Sequence, residues 1–215
     1  MAPLVLFDLD NTLADRAEGL RSWAVEFCAE HGIPGEEVPW IERADGDGLV
    51  PKEDFFSQVR ERYALKDSVA QLWSRYRERH PALIPAFPGV LEGLHALREA
   101  GWRTGVVSNG FADIQRRTLT HSGVAGRVDA WAVSGAEGVR KPDRRLFEIA
   151  ARRCGAPLEG GGWMVGDSPT ADVVGGRGAG LRTVWIDRGR PWPEKLPAPD
   201  HSVTDVREVF ALLSG

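Results

Sequence analysis

Four short stretches of the chain carry polar groups where a buried strand could deliver them. Asp8-Leu9-Asp10-Asn11-Thr12 follows an apolar run over residues 4–7. Side chains two apart on an extended chain point the same way, so Asp8 and Asp10 can converge on one ligand. Two close carboxylates repel unless a cation or a shared proton relieves them. Val106-Val107-Ser108-Asn109-Gly110 ends another apolar run in a hydroxyl and an open turn, which together can meet an anion. Arg140-Lys141-Pro142-Asp143 opens a helical stretch with Pro142 at its first position, which puts Lys141 at the cap. A cation there opposes the helix dipole, so something anionic nearby would be its reason. Gly166-Asp167-Ser168-Pro169 ends a third run, and Asp172 falls in the first turns of the helix that follows. Each stretch taken alone is also ordinary turn or capping chemistry.

The elements that must position these groups are legible as alternating patterns. Short apolar runs at residues 4–7, 103–107, 128–133, 163–165 and 183–186 predict strands. Spacings near 3.6 predict helices over residues 90–100, 112–121, 143–154 and 170–178. Continuous apolar strands separated by helices indicate an α/β fold, a Rossmann-like parallel sheet covered on both faces. The alternation breaks between residues 15 and 87, where only helical patterns occur, over 18–31, 52–63 and 67–80. A small helical cap inserted after the first strand follows, with the proline-stiffened stretch 85–89 as the return linker. The expected organisation is core over 1–14, cap over 15–87 and core over 88–215. Asp-x-Asp, Ser, Lys and Asp then lie at or just beyond successive strand ends, on the one edge where such sheets bind ligands. Turn chemistry explains any one of them but does not predict all four together.

Composition narrows the function classes. A length of 215 residues suits one large domain, or a core of roughly 140 residues with an insert. The net charge of −4, with signs interspersed, gives no basic face for nucleic acid and no polybasic segment for a membrane. The apolar N-terminal run reaches Asp8 too soon for a signal peptide or a membrane span. Cys28 and Cys154 are far apart and offer no disulfide framework, so a cytoplasmic setting is expected. The histidines are scattered, which argues against zinc. Gly105 to Gly110 has one residue too many for the GxSxG elbow, and no GxxxxGK[ST] loop occurs. Asp45-Gly46-Asp47-Gly48 lacks the full calcium-loop pattern and reads as a connector. Arg16, Arg43, Lys52, Arg75 and Arg79 read as solvated helix charges.

In its four motifs, Asp8-Leu9-Asp10-Asn11-Thr12, Ser108-Asn109-Gly110, Lys141-Pro142 and Gly166-Asp167-Ser168 with Asp172, the chain resembles the haloacid dehalogenase-like hydrolases that carry a helical cap. The resemblance covers essentially the whole chain. It implies a Mg²⁺-dependent phosphatase acting on a small phosphate monoester through an aspartyl-phosphate. Asp8 is then the nucleophile, and Asp10 protonates the leaving group and later takes a proton from water. The implied metal ligands are the Asp8 carboxylate, the Asp10 main-chain carbonyl and Asp167, with Asp172 acting from behind them. Ser108, the Asn109 and Gly110 amides and Lys141 would bind phosphate, and Thr12 would hold the first loop in shape. Asp10 also discriminates, because family members that dehalogenate 2-haloacids need no acid there and no magnesium. A phosphosugar mutase, a 2-haloacid dehalogenase or a non-catalytic regulatory protein on the same scaffold are the alternatives. The expected partner is a small phosphate compound rather than nucleic acid or membrane.

Overall fold

A computed structural model of the protein describes residues 2–214. The chain enters through β1 (Leu4–Phe7), forms four helices, α1 (Arg16–His31), α2 (Val38–Asp45), α3 (Lys52–Arg62) and α4 (Val69–Arg79), and returns through α5 (Val90–Glu99). It continues as β2 (Arg103–Ser108), α6 (Ala112–His121), β3 (Ala130–Val133), the short α7 (Ser134–Glu137) and α8 (Arg144–Arg153). β4 (Trp163–Gly166), a π-helical turn over Pro169–Val174, α9 (Gly175–Gly178), β5 (Arg182–Ile186), β6 (His201–Val203) and α10 (Val206–Ser214) complete it. The chain divides into two compact units, Met1–Asp15 with Ala86–Gly215, and Arg16–Pro85.

The first unit is built on a six-stranded sheet among the described residues, parallel throughout, in the order β3-β2-β1-β4-β5-β6. β1 is buried at every position, as a strand covered on both faces must be. Its alternate side chains separate the two faces. Leu4 and Leu6 join the apolar cluster that contains Leu146, Phe147 and Ala150 of α8, whereas Phe7 meets Phe210 of α10 at 6.0 Å between ring centroids. Asp143 caps α8 through Arg145 N–H, so the helix begins two residues later than Pro142. Lys141 is therefore not a helix cap, and the dipole argument for its position does not hold. The strand β6 escaped the sequence pattern because three residues at a sheet edge leave too little alternation to detect.

Residues 86 and 87 belong with the sheet rather than with the insert. Ala14 bridges Ala86, and Phe87 N–H donates to Leu13 O. The helical unit contains α2, which the sequence pattern missed; Pro39 in its first turn is compatible with a helix start but interrupts a search for periodic apolar residues. Its core is aromatic. Trp23 stacks on Phe27 at 4.9 Å and meets Tyr76 edge-on at 4.8 Å, with Phe55 and Phe56 fully buried beside them. Such pairs add about 0.5–1.5 kcal/mol each beyond area burial.

Ionic groups are enclosed in this helical unit. Asp45, wholly buried, accepts from Arg16 Nη2 at 3.0 Å and from Gly48 N at 2.7 Å, and pairs with Lys52 Nζ. Arg16 and Lys52 are thus not the solvated helix charges the sequence suggests, and Asp45 is more than a connector. His80 is buried and stacks on Tyr76 at 4.4 Å, and neither ring nitrogen has a hydrogen-bond partner among the described residues. Burial, reinforced by Arg16 and opposed by Asp45, pushes its pKa down to about 3. The unfolded chain takes up a proton near pH 6.5 that the folded chain refuses, so stability present above pH 6.5 is lost as pH falls toward 3. Between pH 7 and pH 5 this loss should be about 2 kcal/mol at ~1.4 kcal/mol per pH unit. His80→Phe, which keeps a stacked ring, should flatten that part of the urea-unfolding profile; an unchanged pH dependence would remove His80 as its source.

Candidate active site

The chemistry-bearing loops leave the carboxyl ends of the strands of the first unit. Asp8 follows β1, and its N–H donates to Val165 O of β4, which extends the ladder to the strand tip. The chain then turns tightly. Leu13 N and Ala14 N both donate to Leu9 O, Asn11 N donates to Ala14 O, and Asn11 adopts a left-handed φ of 61°. Asn tolerates that region better than most residues. These backbone bonds hold the loop; the buried Thr12 hydroxyl has no hydrogen-bond partner among the described residues and does not supply the hold expected of it.

Lys141 lies at the centre of the site, almost fully buried, with Nζ 2.6 Å from Asp8 Oδ1 and 2.7 Å from Asp172 Oδ1. Burial alone would lower the ammonium pKa, but Asp172 and Asp8 outweigh it and hold the group protonated well above its ordinary range. Asp172 reaches the cluster from the π-helical turn that Ser168 caps through Ala171 N–H, and its Oδ2 accepts from Ser168 N at 2.9 Å. Gly166 is required here. A Cβ at that position would lie 2.2 Å from Asp172 Oδ2, so any side chain would evict the carboxylate. Burial and the charge of Asp8 raise the Asp172 pKa, against the opposing pull of Lys141.

Asp167 completes the acidic group. One carboxylate oxygen from each of Asp8, Asp167 and Asp172 lies within 4.8 Å of the others. Burial and the Asp8 charge push the Asp167 pKa up to about 6, although Arg190 and Arg188 pull it down. Both carboxylates are raised chiefly by burial, and the Asp8 charge beside them adds to the rise. A hard divalent cation fits this donor set: the ligands are carboxylate oxygens, and carboxylates this close repel one another unless a cation relieves them. Asp172 has both oxygens engaged, by Lys141 and by Ser168, whereas Asp8 and Asp167 are each engaged through one oxygen, Oδ1 and Oδ2 respectively.

The loop after β2 brings together Ser108, Asn109 and Gly110 with different duties. Asn109 ties the site across the sheet: its Nδ2 donates to Lys141 O at 3.1 Å and its Oδ1 accepts from Lys141 N at 2.9 Å. Gly110 N–H donates to Ser134 Oγ at 3.0 Å, so that amide is committed within the protein rather than offered to phosphate as expected. Gln115 of α6 was not singled out by its sequence context. Its Nε2 lies 2.8 Å from both Asp10 Oδ2 and Ser108 Oγ, joining the first two motifs. A glutamine inside an ordinary amphipathic helix carries no local signal of such a role. Asn109, Arg188 and Arg190 as side-chain anchors were equally silent, because their partners are distant in sequence.

Comparison with known proteins gives the relationships of the chain. It is 39% identical over 202 residues to the phosphoserine phosphatase of Thermus thermophilus, covering 90% of this chain and 76% of the relative. It is 29% identical to the pyrimidine 5′-nucleotidase YjjG of Escherichia coli, over 97% of this chain and 96% of the relative. The L-2-haloacid dehalogenase of Xanthobacter autotrophicus, solved with chloropropionic acid covalently bound, shares the fold at a TM-score of 0.72 and 19% identity, with 100% of this chain and 99% of that chain covered. The sequence model of the haloacid dehalogenase-like hydrolase family matches residues 5–186. With its motif residues gathered at the carboxyl edge of the sheet and that match spanning most of its length, the chain belongs to the haloacid dehalogenase-like hydrolases.

Proposed function

We propose that the protein is a Mg²⁺-dependent phosphatase that hydrolyses a small phosphate monoester through an aspartyl-phosphate on Asp8. The observation that carries this reading is the buried Lys141 ammonium between Asp8 and Asp172, with Asp167 within reach of the same point. Asp8 attacks phosphorus in line, and the bond to the ester oxygen breaks as Asp10 gives that oxygen a proton. Asp10 then accepts a proton from water as the water attacks phosphorus, and the Asp8 carboxylate is restored. Gln115 holds Asp10 Oδ2 in place for both transfers. Ser108, the Asn109 amide and Lys141 bind the phosphate oxygens that carry the transition-state charge. Asp8, Asp167 and the Asp10 main-chain carbonyl would hold Mg²⁺, with Asp172 fixing Lys141 beside them. When bound, the ion supplies positive charge that offsets the repulsion between carboxylate and phosphate.

Asp10 favours this reading over dehalogenation, since ester cleavage needs a proton at the leaving oxygen and halide departure does not. The names of the relatives make phosphoserine and pyrimidine nucleotides the first substrates to test. We assign the protein to the cytoplasm, a reading supported by two buried free cysteines, Cys28 and Cys154. No helix among the described residues is long and apolar enough to cross a membrane.

Phosphate release from a panel of phosphoserine, nucleotides, sugar phosphates and phosphoglycolate, with Mg²⁺ and with a chelator, tests the proposal. Turnover that ignores the chelator, or halide release in place of phosphate release, would overturn it. Asp8→Asn should lower turnover by ~10³-fold or more, as loss of an essential group does. Asp10→Asn should instead let phospho-enzyme accumulate from p-nitrophenyl phosphate, visible as added phosphoryl mass; its absence from a variant that still releases nitrophenol would remove Asp10 from the hydrolytic step.

Lys141→Met isolates the electrostatic part. Removing the ammonium leaves Asp8 and Asp172 buried without their shared cation, at a cost of about 3–5 kcal/mol at neutral pH. The deficit measured by urea unfolding should shrink as pH falls, because protonation of Asp172 removes the charge that Lys141 had balanced. A deficit that stays constant as pH falls would show that packing, not charge, sets the cost.

A further inference from the structure

The loop after β5 places two arginines on the carboxylate that the proposed metal site needs. Asp167 Oδ2 lies 3.0 Å from Arg190 Nη2 and 3.3 Å from Arg188 Nη1. Arg190 Nη2 also donates to the Asp167 carbonyl at 2.7 Å, and Trp185 Nε1 donates to the same carbonyl at 3.0 Å. The geometry that presents the guanidinium groups is a tight turn over residues 187–190. Arg190 N–H donates to Asp187 O at 2.9 Å, and the two central residues have φ of 51° at Arg188 and 74° at Gly189. Positive φ at both central positions defines a type I′ turn, which favours Asn, Asp or Gly. Arginine at the first central position gains nothing from the turn itself, so its side-chain contact is the reason for it.

We propose that this turn regulates divalent-cation binding: by sharing the Asp167 carboxylate, Arg188 and Arg190 keep the affinity of the Asp8 and Asp167 pair low enough for the metal to exchange with its free pool. The inference rests on the metal-dependent reading above and names how that site is tuned. Two effects of the arginines weaken cation binding. Their charge repels a cation bound to the same carboxylate, and they occupy an oxygen that the cation could otherwise use. Their positioning effect acts the other way and is smaller, because the Trp185 bond and the end of β4 also hold Asp167. Arg190 is the stronger of the two, by distance and by its second bond to the carbonyl.

Isothermal titration calorimetry with Mg²⁺ on the full chain reads this without turnover. Arg190→Gln keeps a donor for the Asp167 carbonyl and removes the charge, and should bind Mg²⁺ about three- to tenfold more tightly than the unsubstituted protein at low salt. Arg190→Lys, which keeps the charge, should stay near the original affinity. Arg188→Asn suits the turn's positive φ and should also tighten binding, by a smaller factor. Equal or weaker binding by both Arg190→Gln and Arg188→Asn, in a protein whose Mg²⁺ binding is abolished by Asp167→Asn, would overturn the regulatory inference alone. Absence of any Mg²⁺ binding by the unsubstituted protein would overturn both it and the metal-dependent reading.

Discussion

The rest of the site depends on one constraint: the charge of Lys141 is almost fully buried and must be neutralised within the protein. Isolated in a low-dielectric interior, an ammonium would lose several kcal/mol of hydration and shed its proton. It keeps the proton because two carboxylates approach it from opposite directions along the chain, Asp8 from the end of β1 and Asp172 from the turn after β4. That requirement propagates outward. Asp172 can reach the lysine only because Gly166 has no side chain, and it is steadied by Ser168 N–H. Lys141 itself is held at its backbone by the two bonds from the Asn109 side chain, which anchors the β2 loop to the loop beyond β3.

The strand order explains why these particular loops meet. β1 lies between β2 and β4, so the chain moves outward in one direction through β2 and β3, then crosses β1 to continue in the other direction through β4, β5 and β6. Loops leaving the carboxyl ends on either side of such a reversal diverge and leave a crevice between them. Asp8 sits at that reversal, with Ser108 on one side and Asp167 on the other. The parallel register, which places Phe7 beside both Val106 and Val165, brings the three strand ends to one level. Buried apolar strands thus fix the positions of polar groups that would not assemble by their own attraction.

Much of this was legible in the sequence because continuity of apolar residues is a local property. The strands at residues 4–7 and 103–107, and the polar residues that follow them, could be read from a few neighbours. What escaped depends on distant partners. Gln115 looks like any helix residue until Asp10, 105 positions away, is seen to accept its hydrogen bond. The arginines of the 187–190 turn look like loop charges until Asp167 is placed beneath them. The helix-cap placement of Lys141 failed for a related reason: Asp143, not Lys141, caps α8, while the anions expected near the lysine are Asp8 and Asp172, which come from distant parts of the chain.

The helical unit shows the same physics with the charges distributed differently. There Asp45 is the wholly buried ion, and Arg16 and Lys52 both converge on it. A carboxylate that already has two cations gains little from a third, whereas a third cation beside those two is repelled by both. His80, packed against Tyr76 near this group, therefore remains neutral, and burial and the two cations act together to keep it so. In the sheet unit three carboxylates gather instead, Asp8 and Asp172 on the buried Lys141 and Asp167 on Arg188 and Arg190, and burial together with the Asp8 charge raises the pKa of Asp167 and of Asp172. One unit thus avoids a third positive charge around Asp45 by leaving a titratable ring uncharged. The other brings three carboxylates together at a strand edge, where a divalent cation would relieve their mutual repulsion and accompany a phosphate.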